Sequence, residues 1–291
     1  MRVLITRLLP DAVIAAARAR FDVTLRELGR PMSAEEAAAA LRDYDAVLPT
    51  LGDAFGTSAF DAVDAPRCRL LANFGVGYNH IDAAAARAKG IAVTNTPGAV
   101  TDATADIAMM LILMSARRAS EGERLVRAGQ WTGWHPVQML GQHVTGKTLA
   151  IIGMGRIGKA IARRAHFGFG MRIVFFNRSP VADAGMPAVQ AATVAEAMAA
   201  GDFVVTAVPG GPATRHIIGA DALAAMQPHA HLVNIARGDV VDEAALIAAL
   251  AGPKAPKTER REILPGVSLD IRRRGGRLTA TFSGLMVDAA L

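Results

Sequence analysis

The sequence has one cysteine, Cys68, among its 291 residues. A single thiol excludes a disulfide framework and a metal site built from several cysteines. Long hydrophobic runs are also missing, since the best candidate, 107–114, is far shorter than the roughly 20 residues of a membrane-spanning helix. The first residues have Arg2 and Arg7 on either side of a short apolar stretch, which is not a signal-peptide pattern. These absences predict a soluble, cytoplasmic protein without a membrane partner.

A strong charge on the main body of the chain is missing as well. The net charge is +6, and residues 252–291 supply +4 of it from eight basic and four acidic side chains. The first 251 residues therefore carry only +2, which is too little for a surface that binds polyanions. We predict no nucleic-acid partner. The alternative, a nucleic-acid binder that uses the basic tail, predicts salt-sensitive binding that is lost when residues 252–291 are deleted.

What the sequence does have is a regular alternation of two patterns. Short β-branched runs, such as 2–6, 70–74 and 149–152, alternate with alanine-rich stretches of helical period. The alternation occurs on both sides of a long apolar segment, 101–118, which we predict to be helical. Strand–helix alternation is typical of parallel sheets covered by helices. With 52% hydrophobic residues and a length that suits two cores, the sequence predicts an α/β fold with two domains.

A glycine motif follows one of these runs directly. The segment Gly153-Met-Gly155-Arg-Ile-Gly158 fits G-x-G-x-x-G, with Arg156 and Ile157 between its last two glycines, and it lies between a predicted strand and a predicted helix. In that context the first glycine permits a tight turn, the second lets a pyrophosphate approach the backbone, and the third lets helix and strand pack closely. The free N–H groups at the helix N-terminus then face the phosphates. The motif predicts a dinucleotide site; the alternative is a glycine-rich turn without a ligand.

The end of the next predicted strand bears on the choice of dinucleotide. Enzymes that prefer NAD hold the ribose 2′-hydroxyl with an acidic residue there, but this chain has Asn177, Arg178 and Ser179. An arginine and a hydroxyl attract a 2′-phosphate, which a carboxylate would repel. We therefore favour NADP(H) as the cofactor and keep NAD(H) as the alternative, in which Arg178 is a solvated residue at a strand end.

A second glycine pattern resembles a nucleotide-binding loop but lies in the wrong context. Residues 141–148 match G-x-x-x-x-G-K-[ST], the pattern of ATP-binding P-loops. A P-loop follows a strand and opens a helix, whereas this segment follows a loop and opens the strand that begins at Thr148. We predict no ATP site here.

Several segments together resemble the D-isomer-specific 2-hydroxyacid dehydrogenases, in particular their glyoxylate/hydroxypyruvate reductase branch. The resemblance is collinear from residue 1 to about 250 and rests on the segments 73–82, 93–98, 101–106, 146–148, 208–216 and 233–239. It implies two Rossmann-like domains, namely a flavodoxin-like substrate domain, 1–98, and a doubly wound parallel sheet that binds NAD(P), 99–251, with the active site in the cleft between them. Residues 252–291 would be an atypical basic tail in place of the family's final strands and helix.

The resemblance also implies roles for particular residues. Val76 and Gly77 would offer backbone amides to the substrate carboxylate, and Arg237 would bind carboxylate and carbonyl oxygens and polarise the carbonyl. Arginine suits that role because its planar fork stays charged. The alternative for Arg237 is a helix-capping or surface arginine, but its place just after a predicted strand, at the edge where α/β sheets bind ligands, favours the functional role. Further positions would line the cofactor: Thr101, Val208, Pro209, Ile235 and Ala236.

One part of the family pattern is missing. Reduction of a 2-keto acid needs a proton as well as a hydride, and the family supplies it from a histidine in a Pro-His-x-Gly segment, oriented by a glutamate. The last histidine of this chain is His231, ahead of Arg237. His80 and His216 are poor substitutes, and His229 and His231 are expected to share a strand face without a nearby carboxylate, which is too little for a metal site. We predict no metal.

Two hypotheses follow. In the first, the chain is an NADP(H)-dependent oxidoreductase that reduces a small 2-keto acid to the D-2-hydroxy acid and is impaired by the loss of the acid/base histidine. In the second, it is a non-catalytic NADP(H)-binding pseudoenzyme or a truncated or frameshifted product. The resemblance also implies a homodimer, because the helix at 101–118 commonly contributes to the family's interface.

Overall fold

The structure, a computed structural model, describes residues 1–251 and, beyond them, the strands at 260–264, 267–274 and 277–283. The chain divides into two compact units, Met1–Val100 and Thr101–Leu291. The functional division at 98/99 and 251/252 stays a prediction.

The first unit is built on a parallel sheet of five strands in the order β2-β1-β3-β4-β5. Helices connect successive strands, as parallel pairing requires. The elements are β1 (Arg2–Ile5), α1 (Asp11–Arg18), β2 (Asp22–Leu25), α2 (Ala34–Asp43), β3 (Ala46–Leu48), α3 (Thr57–Asp61), β4 (Leu70–Ala72), α4 (Ala83–Ala88) and β5 (Ala92–Thr94).

The second unit begins with two helices and continues into a larger sheet. Residues 101–251 contain α5 (Thr101–Ala116), α6 (Ala119–Arg127), β6 (Thr148–Ile152), α7 (Arg156–Phe169), β7 (Arg172–Phe176), β8 (Ala188–Gln190), α8 (Val194–Ala200), β9 (Phe203–Thr206), α9 (Ala220–Ala225), β10 (His231–Asn234) and α10 (Glu243–Ala251). Their strands pair in parallel in the order β10-β9-β6-β7-β8. Strand order therefore runs outward in both directions from β6, which is the doubly wound arrangement predicted from the sequence.

The central strand β6 shows why this sheet is covered on both faces. All five of its residues are buried. Leu149 and Ile151 belong to the apolar cluster that contains α5 and α7 side chains, whereas Ala150 and Ile152 belong to the cluster on the opposite face. Alternate residues of a strand point to opposite faces, so a continuous apolar run is what a doubly covered parallel strand needs. The predicted α/β fold class is confirmed.

The boundaries differ from the predicted ones by a few residues. The long helix was predicted over 101–118 and ends at Ala116, because Arg118 has a left-handed backbone with φ 55° that an α-helix does not accommodate. The segment 141–148, which matches the P-loop pattern, leads into strand β6 and not into a helix, as predicted.

The tail contributes three strands to the second sheet: β11 (Arg260–Leu264), β12 (Val267–Arg274) and β13 (Arg277–Ser283). They pair with one another in antiparallel fashion, and β13 lies parallel to β10. The closing residues, 284–291, lie outside the described residues.

Among the described residues, no helix combines the length and the apolarity that a membrane crossing requires.

Candidate active site

The predicted cofactor residues of the second unit follow the carboxyl ends of four neighbouring strands. The glycine motif follows β6, Asn177–Ser179 follow β7, Val208 and Pro209 follow β9, and Ile235–Arg237 follow β10. Thr101 is the first residue of α5. The structure therefore brings the segments after β10, β9, β6 and β7 to one edge of the sheet, which is where open α/β sheets bind ligands.

The glycine turn has the geometry that its sequence predicts. Gly153 has a φ of +106°, which disfavours any side chain, and its N–H donates to the carbonyl of Phe176 at 2.9 Å. A Cβ at Gly158 would lie 2.1 Å from the Gly153 carbonyl oxygen, whereas a Cβ at Gly155 would meet nothing within 4 Å. Two glycines therefore pack the turn against the strand and helix, and the middle one leaves open space in front of the N-terminus of α7. That space suits a pyrophosphate.

The segment after β7 combines a held asparagine with two exposed residues. Asn177 accepts a hydrogen bond from the Met154 N–H (3.2 Å) and donates to the Ser179 carbonyl (2.9 Å), which ties this segment to the glycine turn. Arg178 and Ser179 are exposed. Within the part of the chain that the structure describes, Arg178 has no ion-pair partner. A free guanidinium beside a dinucleotide turn can bind a phosphate.

The segment after β9 lies against the same turn. A Cβ at Gly153 would come within 2.9 Å of Val208 Cγ1, so Val208 borders the glycine motif. Pro209 is exposed, and its carbonyl accepts a hydrogen bond from the Thr214 hydroxyl at 2.6 Å.

Arg237 lies three residues beyond β10 and is half-buried. Its Nη1 donates to the Ala236 carbonyl at 3.0 Å, while its Nε is buried and has no acceptor among the described residues. Burial lowers the pKa of the guanidinium, and the nearby Asp239 opposes that effect. Arg237 precedes the short 3-10 helix Gly238–Val240 as its N-cap residue, but its side chain makes no capping hydrogen bond. A buried N–H without an acceptor is costly unless a ligand supplies one.

In the first unit, Val76 and Gly77 belong to a loop that follows β4. The Asn73 side chain donates to the carbonyls of Gly75 (3.0 Å) and Gly77 (3.1 Å), and Asn95 donates to the Val76 carbonyl (2.9 Å). Among the described residues, no acceptor receives the N–H of Val76 or Gly77. The loop thus points its carbonyls at two asparagines and leaves two amides for an anion.

Sequence reasoning missed these two asparagines. Both follow a strand end directly, Asn73 after β4 and Asn95 after β5, and asparagine after a strand is a common sign of side chain to backbone bonding. That signal identifies a turn, but it does not say which carbonyls the side chain will hold.

The histidines are separated, contrary to expectation. β10 begins only at His231, so His229 lies outside the strand and pairs with Asp202 at 2.7 Å. His231 is buried, with Nδ1 at 2.6 Å from the Ser115 hydroxyl and Nε2 at 3.1 Å from Gln142 Oε1. The expected shared face is therefore wrong, and so is the expected absence of a nearby carboxylate. His216 lies 3.9 Å from Asp242, and within the described ranges no group of three or more ligand-type side chains could hold a metal ion.

Comparison with known proteins gives a consistent result. Residues 109–255 match the family model described as D-isomer specific 2-hydroxyacid dehydrogenase, NAD binding domain. The chain is 44% identical over 255 residues to a glyoxylate reductase of Thermococcus gammatolerans, covering 86% of this chain and 75% of that one. It is 35% identical over 252 residues to a glycerate dehydrogenase of Hyphomicrobium methylovorum, covering 86% and 78%.

A solved structure with a similar fold is an NADPH-dependent glyoxylate/hydroxypyruvate reductase from Sinorhizobium meliloti, in complex with NADP and malonate. The sequences are 34% identical, the TM-score is 0.74, and the alignment covers 86% of this chain and 75% of the other. The family-model match ends at residue 255, four residues into the tail at 252–291.

Proposed function

This chain belongs to the D-isomer-specific 2-hydroxyacid dehydrogenases, a family of NAD(P)-dependent oxidoreductases, and on that premise we propose that it reduces a small 2-keto acid of the glyoxylate or hydroxypyruvate type to the D-2-hydroxy acid. The observation that carries the proposal is Arg237, whose buried Nε has no acceptor among the residues that the structure describes, at the ligand-binding edge of a dinucleotide-type sheet.

Two sets of groups would act on the substrate. The free amides of Val76 and Gly77 bind the substrate carboxylate. Arg237 binds an oxygen of the same carboxylate and the carbonyl oxygen of the substrate. Because hydride attack puts negative charge on that oxygen, a fixed guanidinium stabilises the transition state more than the ground state. The nicotinamide cofactor, when bound, supplies the hydride. In this proposal residues 1–98 form the substrate domain and residues 99–251 the cofactor domain.

The cofactor residues fit NADP(H) better than NAD(H). Gly153, Gly155 and Gly158 shape the turn for the pyrophosphate, with Arg156 and Ile157 at the start of α7. Arg178 and Ser179 would bind the 2′-phosphate, and Asn177 brings no charge to repel it. The Sinorhizobium meliloti relative with NADP supports this choice. The remaining cofactor contacts would come from Thr101, Val208, Pro209, Ile235 and Ala236.

The source of the proton separates an impaired enzyme from a binding protein. No histidine follows Arg237 in the sequence, so the family's acid/base group has no counterpart there. Loss of general acid–base help slows a reaction by roughly 10²–10⁴-fold. We therefore expect slow turnover; a non-catalytic NADP(H)-binding protein is the second candidate, and the same missing histidine favours it.

A second copy of the chain is the partner that we propose beside the small-molecule substrate. No residue of α6 is buried, and the segment from α6 to 140 exposes large apolar side chains: Val126 (61%), Trp131 (55%), Trp134 (78%), Val137 (74%) and Leu140 (62%). Such a concentration is uncommon on a monomer surface and typical of an interface. Sedimentation analysis of the chain and of Trp134→Ser tests it: a dimer that weakens in the variant supports the proposal, and a monomeric parent chain contradicts it.

The function is tested by following NADPH oxidation with hydroxypyruvate or glyoxylate, with NADH as the cofactor control. Arg237→Ala should abolish turnover, while Arg163→Ala, which removes an exposed arginine of α7, should not. Stabilisation of the fold by NADPH without turnover would mean an intact cofactor site in a non-catalytic protein. Absence of both would contradict the proposal.

A further inference from the structure

We propose that Asn234 is a positioning residue for Arg237, supported from below by Thr206. The inference rests on the proposed function, because it assigns a second residue to the arginine that polarises the substrate. Neither Asn234 nor Thr206 would touch the substrate.

The Asn234 side chain makes hydrogen bonds to two successive residues of the turn that carries Arg237. Strand β10 ends at Asn234, and the loop that follows carries Arg237. Asn234 Oδ1 accepts a hydrogen bond from the Ala236 N–H (3.0 Å), and Nδ2 donates to the Arg237 carbonyl (2.8 Å). One carboxamide thus fixes two successive residues. Aspartate would lose the donor, and an apolar residue would lose both bonds.

Thr206 decides which way this carboxamide faces. Its hydroxyl donates to Asn234 Oδ1, and the two residues are directly paired across strands β9 and β10. Thr206 is fully buried and Asn234 is 2% exposed, so water does not compete for these groups. Two bonds to Oδ1 and one from Nδ2 give this buried amide one low-energy orientation.

This turn in turn fixes the guanidinium. Arg237 Nη1 donates to the Ala236 carbonyl, which belongs to the residue that Asn234 holds through its N–H. Nη1 is engaged, and Nε has no acceptor within the described part of the chain, so the Nε–Nη2 edge is left to form two parallel bonds with the substrate. If the turn relaxes, that edge moves, and a misplacement of about 1 Å can cost on the order of 10²-fold in rate.

A merely structural clip between two strand ends makes a different prediction. It would lower the stability of the second unit in each variant, and its loss would add to the loss of Arg237. A positioning residue acts only through Arg237, so removing it from a chain that already lacks Arg237 should change nothing further.

The test therefore compares Asn234→Ala, Arg237→Ala and the double variant, with kcat and KM for hydroxypyruvate as readouts. We expect kcat/KM to fall by about 10–100-fold in Asn234→Ala and the double variant to equal Arg237→Ala. Thr206→Val should cost about 3–10-fold, and Thr206→Ser, which keeps the hydroxyl, should restore most of it.

A matched control is Thr193→Val, which removes the threonine hydroxyl that caps α8 through the Glu196 N–H and should leave kcat/KM unchanged. If the Asn234 and Arg237 losses multiply, the positioning role is wrong while the proposed function stands.

Calorimetric binding of oxamate, a 2-keto acid analogue, to the NADPH-saturated chain gives a readout that needs no turnover. The inference is supported, even in a slow enzyme, by two results together. Asn234→Ala binds oxamate more weakly than the parent chain, and the double variant binds it no more weakly than Arg237→Ala. A parent chain that neither turns over nor binds oxamate overturns the proposed function and this inference together.

Discussion

In the proposed site, two loops would offer backbone amides to an anion, and they are built in different ways. The loop at 153–155 in the second unit leads into a helix of 14 residues, whose N-terminal N–H groups and dipole would face the proposed ligand. The loop at 75–77 in the first unit leads into no helix, and two asparagine side chains hold its carbonyls.

The difference shows two routes to the same chemistry. In the first route, glycines permit a tight turn, and secondary structure supplies the donors. In the second, polar side chains hold the acceptors of the loop so that its donors are left over. Replacing a glycine should therefore damage the first loop, and replacing an asparagine the second.

Gly158→Ala should have the largest effect. Its Cβ would lie 2.1 Å from the Gly153 carbonyl oxygen, and because that atom is backbone, the turn must move. We expect a stability loss of about 1–3 kcal/mol or more and no measurable NADPH binding, by thermal unfolding and calorimetry.

The neighbouring Gly155→Ala distinguishes a steric clash within the protein from a steric clash with the cofactor. Gly155 has φ −80° and open space around its Cβ, so the variant should fold normally. Its methyl group would occupy the approach of the pyrophosphate and weaken NADPH binding at least about tenfold, or ~1.4 kcal/mol. Equal stability losses in the two variants would contradict the packing role of Gly158.

Asn73→Ala should raise KM for the keto acid by about 10–100-fold, because it removes two hydrogen bonds to the carbonyls of the 75–77 loop. Asn95→Ala removes one and should have a smaller effect. NADPH binding should not change in either. The exposed Asn79, in the same loop region, provides the control Asn79→Ala, which should leave KM unchanged.

Asn177→Asp should shift the cofactor preference toward NADH by about tenfold, since the new carboxylate repels a 2′-phosphate and accepts a ribose hydroxyl. The aspartate can keep the bond from the Met154 N–H, so the turn should stay intact. Ratios of kcat/KM for NADPH and NADH measure the shift. Arg178→Met should weaken NADPH alone; an equal loss for both cofactors would mean that Arg178 does not face the 2′-phosphate.

The smallest expected effect concerns pH, and it arises outside both loops. Burial lowers the pKa of His231 to about 4, from an ordinary value near 6.5. The unfolded chain then binds a proton more readily than the folded one, so this contribution to stability is present above pH 6.5 and is lost as pH falls toward 4. Between pH 7.5 and 5.5 we expect a loss of about 1 kcal/mol in the free energy of unfolding. Urea titrations measure it, and His135→Gln, at an exposed position, should show the same loss.

Much of the fold could be predicted from local pattern. The strand predicted at 149–152 is Thr148–Ile152, and the glycine motif lies where the strand–helix context placed it. The long helix ends two residues early because Arg118 adopts a left-handed backbone, which no hydrophobic period reveals. The tail strands have no such period, and their pairing depends on contacts that are distant in sequence.

The sequence predicted the segments of the candidate site, but not the residues whose side chains hold the backbone of those segments. The glycines were predicted from a motif between a strand and a helix, and Arg237 from the family resemblance together with its place after a strand. Asn73, Asn95 and Asn234 act through side chain to backbone bonds that exist only after the turns have formed. The two histidines were misjudged for a similar reason. Because β10 begins two residues after His229, His229 lies outside the strand and pairs with Asp202, whereas His231 contacts Ser115.

The pairing of Thr206 with Asn234 affects how a misfolded fraction of the purified chain can be detected. These residues are opposite one another only in the native alignment of β9 with β10. A slip of one position would leave a parallel sheet with the same content of strand, yet Thr206 would no longer reach the carboxamide that aims Arg237. Helical and strand content measured by circular dichroism would not detect such a misfolded fraction. Specific activity would, so catalysis reports on the alignment of two strands.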